Sequence, residues 1–304
     1  MLTVRTVAEL RAALTPARRA GRTIGLVPTM GALHEGHLSL ISRARARCDV
    51  VAVTLFVNPA QFNERADLER YPRSERRDAE LAAGAGADLM FAPAVEEIYP
   101  PGFATAVEVL GLTDRLEGAA RGAAHFRGVT TVVAKLLGMA QPDVLYLGQK
   151  DAQQALVIGR MIEDLNMAVR VELCPTVREP DGLARSSRNA LLDPLARARA
   201  RALPAALHAA AHLLAEGERS PQALTQAARA ELAAAELAID YVELVDPQTL
   251  EPLTAPLRRP ALLALAASVG EVRLIDNATF DPAAPEEAAV ALAPPGKEIT
   301  TCSA

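Results

Sequence analysis

The chain is predicted to be an α/β protein: a parallel sheet with flanking helices, followed by a smaller C-terminal α+β domain. Three observations support this. Up to about residue 180, short apolar runs alternate with helical patterns, as βαβ units require. After residue 176 the chain turns polar, with two prolines and a glycine in TVREPDGLARSSRNALLDP. Beyond it, an Ala-rich helical region leads to three apolar, strand-like stretches. The length agrees, because 304 residues exceed the roughly 100–200 of one typical domain.

Each element has its own signal. Residues 1–21 break their apolar positions with charges every few residues and read as an amphipathic helix. TIGLVPT (23–29) reads as a strand and LSLISRARARC (38–48) as a helix. VVAVTLFV (50–57) is apolar on both faces, as a central parallel strand should be. The charged stretch 64–83 reads as loop and helix, and DLMFAP (88–93) as a strand. GVTTVVAKLLGMA (128–140) fits a helix, VLYLG (144–148) a strand and KDAQQALVIGRMIEDLN (150–166) a helix. VRVELCP (169–175) completes the first set of strands. In the second part, residues 193–236 are helical, and IDYVELVD (239–246), ALLALAASV (261–269) and EVRLIDN (271–277) are strand-like. The expected division is 1–177 for a Rossmann-like domain, 178–280 for the smaller domain, and 281–304 for a disordered Ala/Pro-rich tail.

Composition narrows the function. With Lys+Arg 32 against Asp+Glu 37, the net charge is −5, so the chain lacks the basic field of a nucleic-acid binder. There is no Trp, and six Phe and four Tyr leave little for base-stacking platforms. Cys48, Cys174 and Cys302 form no CxxC pair, so neither a zinc knuckle nor a disulfide framework is readable, and the first two read as small core residues. Neither a signal-peptide run nor a bilayer-spanning run is present, so the expected home is the cytoplasm.

In an open parallel sheet, ligands bind beyond the carboxyl ends of the strands, where strand order reverses. The turns leaving the strands are therefore the candidates. The first is Pro28-Thr29-Met30-Gly31-Ala32-Leu33-His34-Glu35-Gly36-His37, running into a helix. Small residues admit a ligand close to the backbone, and two imidazoles three apart at a helix start suit phosphate oxygens. The plainer reading is a solvent-facing helix start. A zinc site lacks a nearby third ligand, His125 being the one remote candidate.

The second turn is Gly148-Gln149-Lys150-Asp151. Lys150 suits a phosphate and Asp151 a ribose hydroxyl, although Asp151 as a simple cap is the plainer reading. The third is Arg185-Ser186-Ser187-Arg188-Asn189, two hydroxyls between two guanidiniums, otherwise a solvated linker. The fourth, Asn58-Pro59-Ala60-Gln61-Phe62, offers uncharged donors and acceptors suited to a hydroxy acid, or is only a polar turn. Walker-type GxxxxGK[ST], GxSxG, HExxH and a GxGxxG after the first strand are all missing. His208 and His212, four apart on an Ala-rich helix with no third ligand, read as helix surface or interface. His34, His37, Lys150, Ser186, Ser187 and Arg188 together suit a triphosphate, which is the logic of nucleotidyl transfer.

PTMGALHEGHLSLI, FVNPAQF, YPR, LYLGQKDAQQ, PTVREPDGLARSSRN and RLIDN, in this order and spacing, resemble the pantothenate synthetase (pantoate–β-alanine ligase) family across roughly residues 20–280. HEGH resembles the His-x-Gly-His signature of nucleotidyltransferases related to class I aminoacyl-tRNA synthetases. The resemblance implies ATP-dependent condensation of pantoate with β-alanine through a pantoyl-adenylate, releasing pyrophosphate and AMP. It implies that residues Pro28 to His37 line the ATP site, with His37 as proton donor and His34 beside it. Lys150 would meet the phosphates, Asp151 the ribose and Val177 the adenine, with Gly148 and Gln149 alongside. Arg185, Ser186, Ser187 and Arg188 would close over the phosphates, the second domain and residues 178–190 acting as a lid. Gln61 and Gln154 would hold pantoate, Gln61 also lying beside β-alanine, and Asn58 joins them as a pantoate-binding candidate from its place in the strand-exit turn. Mg²⁺ would accompany ATP with Asp78 as its nearest protein group, and the chain would form a homodimer. Gln149, Ala152 and Arg185 replace a frequent Glu, aromatic and Met, and Arg76 and Arg77 dilute the acidic segment around Asp78. The HxGH turn alone is shared widely, so a related nucleotidyltransferase acting on another small acid is the competing expectation.

Overall fold

The computed structural model describes residues 1–63, 65–286 and 288. The chain divides into two compact units, Met1–Cys174 and the part from Pro175 onward.

Among the described residues the first unit contains a six-stranded sheet: β1 (Leu2–Val4), β2 (Ile24–Thr29), β3 (Val50–Leu55), β4 (Leu89–Phe91), β5 (Val144–Gly148) and β6 (Arg170–Cys174). Every neighbouring pair is parallel, in the order β1-β4-β3-β2-β5-β6. The central strands are apolar because both faces are covered. Val27, Val51, Val53, Val144 and Tyr146 share one core with Leu40, Ile41 and Ala44 of the helix Glu35–Arg45. Strand alternation leaves Leu26, Ala52 and Leu145, all buried, for the opposite face. The helices Ala123–Ala140 and Ala152–Asp164 pack together and touch β2 and β5. Cys48 and Cys174 are buried, as their apolar surroundings predict.

The chain steps outward from β2 to β3 and β4, then returns to place β5 on the other side of β2. Strand order therefore reverses at β2 and β5, and a crevice opens beyond their carboxyl ends. The two turns with His34, His37 and Lys150 leave these two strands.

Residues 1–21 are not one helix. Leu2–Val4 is an edge strand paired with Leu89–Phe91, and the helix begins at Val7 behind a Thr6 capping box with Glu9. Three residues are too few for a period, and only their pairing partner defines them. The short helices Val95–Ile98 and Glu117–Arg121 also carry too few turns to show a pattern.

The second unit has an antiparallel sheet in the order β7 (Ala238–Val245), β8 (Ala261–Val269) and β9 (Val272–Phe280). The Ala-rich region forms the helices Pro194–Ala200, Ala202–Ala215 and Pro221–Ala234. Leu203, Leu207, Leu214, Leu224 and Leu232 bury against Leu263, Leu265 and Phe280 of the sheet. Of the stretch read as a tail, residues 281–286 and 288 are described, and Ala288 joins this core. Residues 287 and 289–304 lie outside the described residues.

The segment after β6 is built rather than a loose linker. Arg185 N–H donates to the Val177 carbonyl and Glu179 N–H to the Leu183 carbonyl, closing a tight hairpin. Arg178 reaches Asp276 of β9 with both guanidinium nitrogens, at 2.7 and 3.0 Å, and both residues are buried. The RLIDN stretch thus carries the counter-charge of a residue about a hundred positions earlier.

Candidate active site

The turn leaving β2 is anchored at its base. The Thr29 hydroxyl donates to the Thr54 carbonyl at 2.6 Å, and Gly31 N–H donates back to Thr29 Oγ1 at 3.3 Å. Gly31 then adopts φ +90° and Ala32 φ +51°. The left-handed region suits Gly31 and strains Ala32. A Cβ on Gly31 would also sit 2.8 Å from Leu55 Cδ1 and 3.0 Å from Asp78 Oδ2. Glycine is therefore required there on two grounds.

Asp78 holds this strained turn in place. Its Oδ2 accepts from Ala32 N–H at 3.0 Å and its Oδ1 from Leu33 N–H at 2.8 Å, with only 2% of the residue exposed. The metal role expected of Asp78 does not fit this geometry, since each carboxylate oxygen already serves a backbone donor in a closed site. Among the described residues, no group of three His, Cys, Asp or Glu side chains is placed to hold a metal ion. Asp78→Ala should lower the denaturant midpoint by an amount corresponding to about 1–3 kcal/mol, because two backbone donors lose their acceptor. An unchanged midpoint in urea would remove Asp78 from this role.

The same turn delivers the histidines. His34 is the N-cap of the helix Glu35–Arg45, and its Nδ1 accepts from Gly36 N–H at 3.2 Å. His37 reciprocates, its Nδ1 accepting from His34 N–H at 3.4 Å. Two histidines thus form the reciprocal cap usually made by a hydroxyl and a carboxylate. Because both Nδ1 atoms accept, each neutral ring carries its proton on Nε2. The rings lie 4.1 Å apart, centroid to centroid. Burial first, then the charges of His34 and Lys150, pull the His37 pKa down to about 3, with Asp151 opposing. At neutral pH His37 is therefore a hydrogen-bond donor rather than a cation.

The turn leaving β5 comes to the same place, because the charges of Lys150 and Asp151 both act on the His37 ring. Gln149–Asp151 forms a single 3₁₀ turn, and Lys150 Nζ lies 3.6 Å from Asp151 Oδ1. In the next helix, Gln154 is half-buried. Its neighbour Gln153 is buried and accepts from Glu117 N–H at 2.9 Å, while donating to the Leu112 and Arg115 carbonyls at 2.7 and 2.9 Å. Gln153 therefore fastens residues 112–117 to this helix.

Asn58 and Gln61 stand at the exit of β3. Asn58 is 1% exposed and its amide is fully used. Its Oδ1 accepts from Ala60 N–H at 3.2 Å and from the Tyr99 hydroxyl at 2.8 Å. Its Nδ2 donates to the Gly128 carbonyl and to Gln61 Oε1, each at 3.1 Å. Gln61 Nε2 in turn points to Met30 Sδ at 2.9 Å, and His125 Nδ1 meets the Gln61 carbonyl at 2.7 Å. A Cβ on Gly128 would lie 2.2 Å from the Ala60 carbonyl oxygen, so only glycine lets the 59–61 turn settle on the helix Ala123–Ala140. Burial keeps the His125 pKa low and pushes that of Tyr99 up to about 12, so the phenol remains a donor. Tyr99 and the contact of His125 with Gln61 were not legible in the sequence. The aromatic position in EEIYPPG was the one available signal for Tyr99.

The structure thus brings Met30, the histidine turn, Lys150, Asp151, Gln61 and Asn58 to one end of the first unit's sheet. Val177 and Arg185, Ser186, Ser187 and Arg188 belong to the second unit. There, buried Glu179 accepts from Asn189 Nδ2 at 2.7 Å and pairs with Arg185 at 3.2 Å and with Arg197. Residues on both flanks of Ser186–Arg188 are therefore tied to one carboxylate. Ser186 Oγ accepts from Arg188 N–H at 3.3 Å.

The parallel sheet with paired imidazoles and a lysine at its reversal point defines a Rossmann-like α/β protein of the His-x-Gly-His type. A family model described as pantoate-beta-alanine ligase matches residues 2–279, and the chain belongs to that family. It is 55% identical over 274 residues to the pantothenate synthetase of Cereibacter sphaeroides, covering 90% of this chain and 98% of that one. The crystal structure of pantothenate synthetase from Thermus thermophilus aligns with TM-score 0.86 at 48% identity, covering 91% and 98% of the two chains. The pantoate-beta-alanine ligase of Francisella tularensis, crystallised with beta-gamma ATP and beta-alanine, aligns with TM-score 0.72 at 32% identity, covering 93% and 98%.

Proposed function

We propose that this chain condenses pantoate with β-alanine at the expense of ATP, through a pantoyl-adenylate. A carboxylate is inert toward an amine, so it must first become a better acylating agent. A carboxylate oxygen of pantoate attacks the α-phosphorus of ATP, and pyrophosphate leaves with the electron pair of the broken P–O bond. The β-alanine nitrogen then attacks the acyl carbon and loses a proton, and AMP leaves.

One observation supports this reading most: the turns leaving β2 and β5, at the reversal point of a parallel sheet, carry two imidazoles whose Nε2–H groups the cap does not use and a lysine whose charge acts on the His37 ring. Fixed donors aimed at developing phosphate charge are worth most where they need no reorganisation. Pro28 to His37 and Gly148 to Asp151 are assigned to ATP, with Lys150 on the phosphates and Asp151 on the ribose. Val177 is assigned to adenine, and Arg185, Ser186, Ser187 and Arg188 to the polyphosphate. Gln61 and Gln154 are assigned to pantoate, and Gln61 also to β-alanine. Asn58 acts through Gln61, its own amide being satisfied. We further read the protein as a cytoplasmic homodimer, on its resemblance to the family.

Incubation with MgATP, pantoate and β-alanine should yield pantothenate and AMP, each depending on all three. With ¹⁸O in the pantoate carboxylate, one label should appear in AMP. AMP free of label would exclude the adenylate. Pyrophosphate exchange into ATP that another small acid supports better than pantoate would shift the assignment to that acid.

A further inference from the structure

We infer that Tyr99 and Asn58 are positioning residues that fix the polarity of Gln61, so that it offers its amide nitrogen, not its oxygen, to the bound acid. This rests on the reading of Gln61 as a pantoate-binding residue. A primary amide can usually turn over, exchanging donor for acceptor at little cost. Here the choice is forced one residue back. Asn58 must face its oxygen to the Ala60 N–H, an obligate donor, and its nitrogen to the Gly128 carbonyl, an obligate acceptor. The Tyr99 hydroxyl, 41 positions away, fills the second lone pair of that oxygen at 2.8 Å. The second Asn58 N–H then reaches Gln61 Oε1 at 3.1 Å, which turns Gln61 Nε2 outward.

The outward nitrogen rests against Met30 Sδ at 2.9 Å. A thioether is a weak acceptor, so an oxygen ligand displaces it with a gain. A carboxylate or hydroxyl oxygen is therefore welcome at this position, whereas a group presenting only N–H would meet a donor. The device recognises acid oxygens without a buried cation, so binding carries no need to neutralise or desolvate a charge on the protein.

The test compares Michaelis constants for pantoate and ATP in four proteins: wild type, Tyr99→Phe, Asn58→Asp and Gln61→Ala. In Asn58→Asp no donor faces Gln61 Oε1, the Gln61 amide turns over, and KM for pantoate should rise about 10- to 100-fold with KM for ATP unchanged. Tyr99→Phe, the milder variant should Asn58→Asp not fold, should raise KM for pantoate about two- to tenfold, again selectively. If Gln61→Ala raises KM for pantoate while neither other variant does, the polarity inference is overturned and the pantoate reading stands. If Gln61→Ala leaves KM for pantoate unchanged, the pantoate reading itself falls, and the inference with it. Parallel rises in both constants with a lowered melting temperature would mark Tyr99 and Asn58 as scaffold and overturn the inference.

Discussion

Lys150→Ala should slow pantoyl-adenylate formation by about 10²–10³ while leaving pantoate affinity near wild type. The lysine lies in the turn that leaves β5, its ammonium is 3.6 Å from Asp151, and its charge reaches the His37 ring. An ammonium there acts mainly on charge that grows on the phosphates as pyrophosphate departs, so its loss falls on the rate more than on binding of the uncleaved acid. Single-turnover quenching, with pyrophosphate release as the readout, isolates this step from the later amide formation. Lys150→Arg keeps the charge but changes its shape and reach, so only partial recovery is expected. A single-turnover rate equal to wild type in Lys150→Ala would remove Lys150 from the phosphate chemistry.

His37→Gln should cost the same step a comparable factor, about 10²–10³, and should also abolish a proton uptake that accompanies ATP binding to the native protein. Burial first, then the coulombic effects of His34 and Lys150 against that of Asp151, hold the His37 pKa at about 3 in the free protein. A polyanion placed against the ring favours the imidazolium and raises that pKa. Between pH 5 and 6, ATP should therefore carry a proton in with it, visible as a binding enthalpy that varies with the ionisation enthalpy of the buffer. Identical enthalpies across buffers would show that His37 stays neutral throughout and donates only a hydrogen bond.

The same shift predicts how stability depends on pH. The unfolded ring titrates near 6.5 and the folded ring near 3, so between these values the unfolded state binds more protons. The contribution is fully present above pH 6.5 and is lost as pH falls through that window. The His37→Gln protein should accordingly lose less stability than wild type between pH 6.5 and 4.

Much of the fold was legible because burial leaves a plain mark on a parallel sheet. VVAVTLFV and VLYLG are apolar on both faces, and both became central strands. The candidate site was legible where its parts are local. HEGH places two imidazoles on one helical turn, and GQKD places a lysine at the next strand exit, with no distant residue needed. The Asp78 carboxylate was legible as an acid but not as a brace. Its partners, Ala32 and Leu33, lie 46 and 45 positions earlier and contribute only backbone N–H groups, which every residue has. Tyr99 and Arg178 escaped notice for the same reason. Their partners Asn58 and Asp276 are ordinary polar residues until the fold brings them within 3 Å.

The sequence by itself determined the longer elements, since the period of apolar positions is a property of consecutive residues, whereas Leu2–Val4 and the shortest helices needed their partners. It also named the side chains proposed to carry the chemistry, because the motifs are short and continuous. Only the tertiary structure decided the states of those groups. The tautomer of each histidine, the low pKa of His37, the facing of Gln61 and the engagement of Asp78 depend on hydrogen bonds and desolvation from residues far apart in the chain. Such terms act through space, over a few ångströms, and leave no mark on local order.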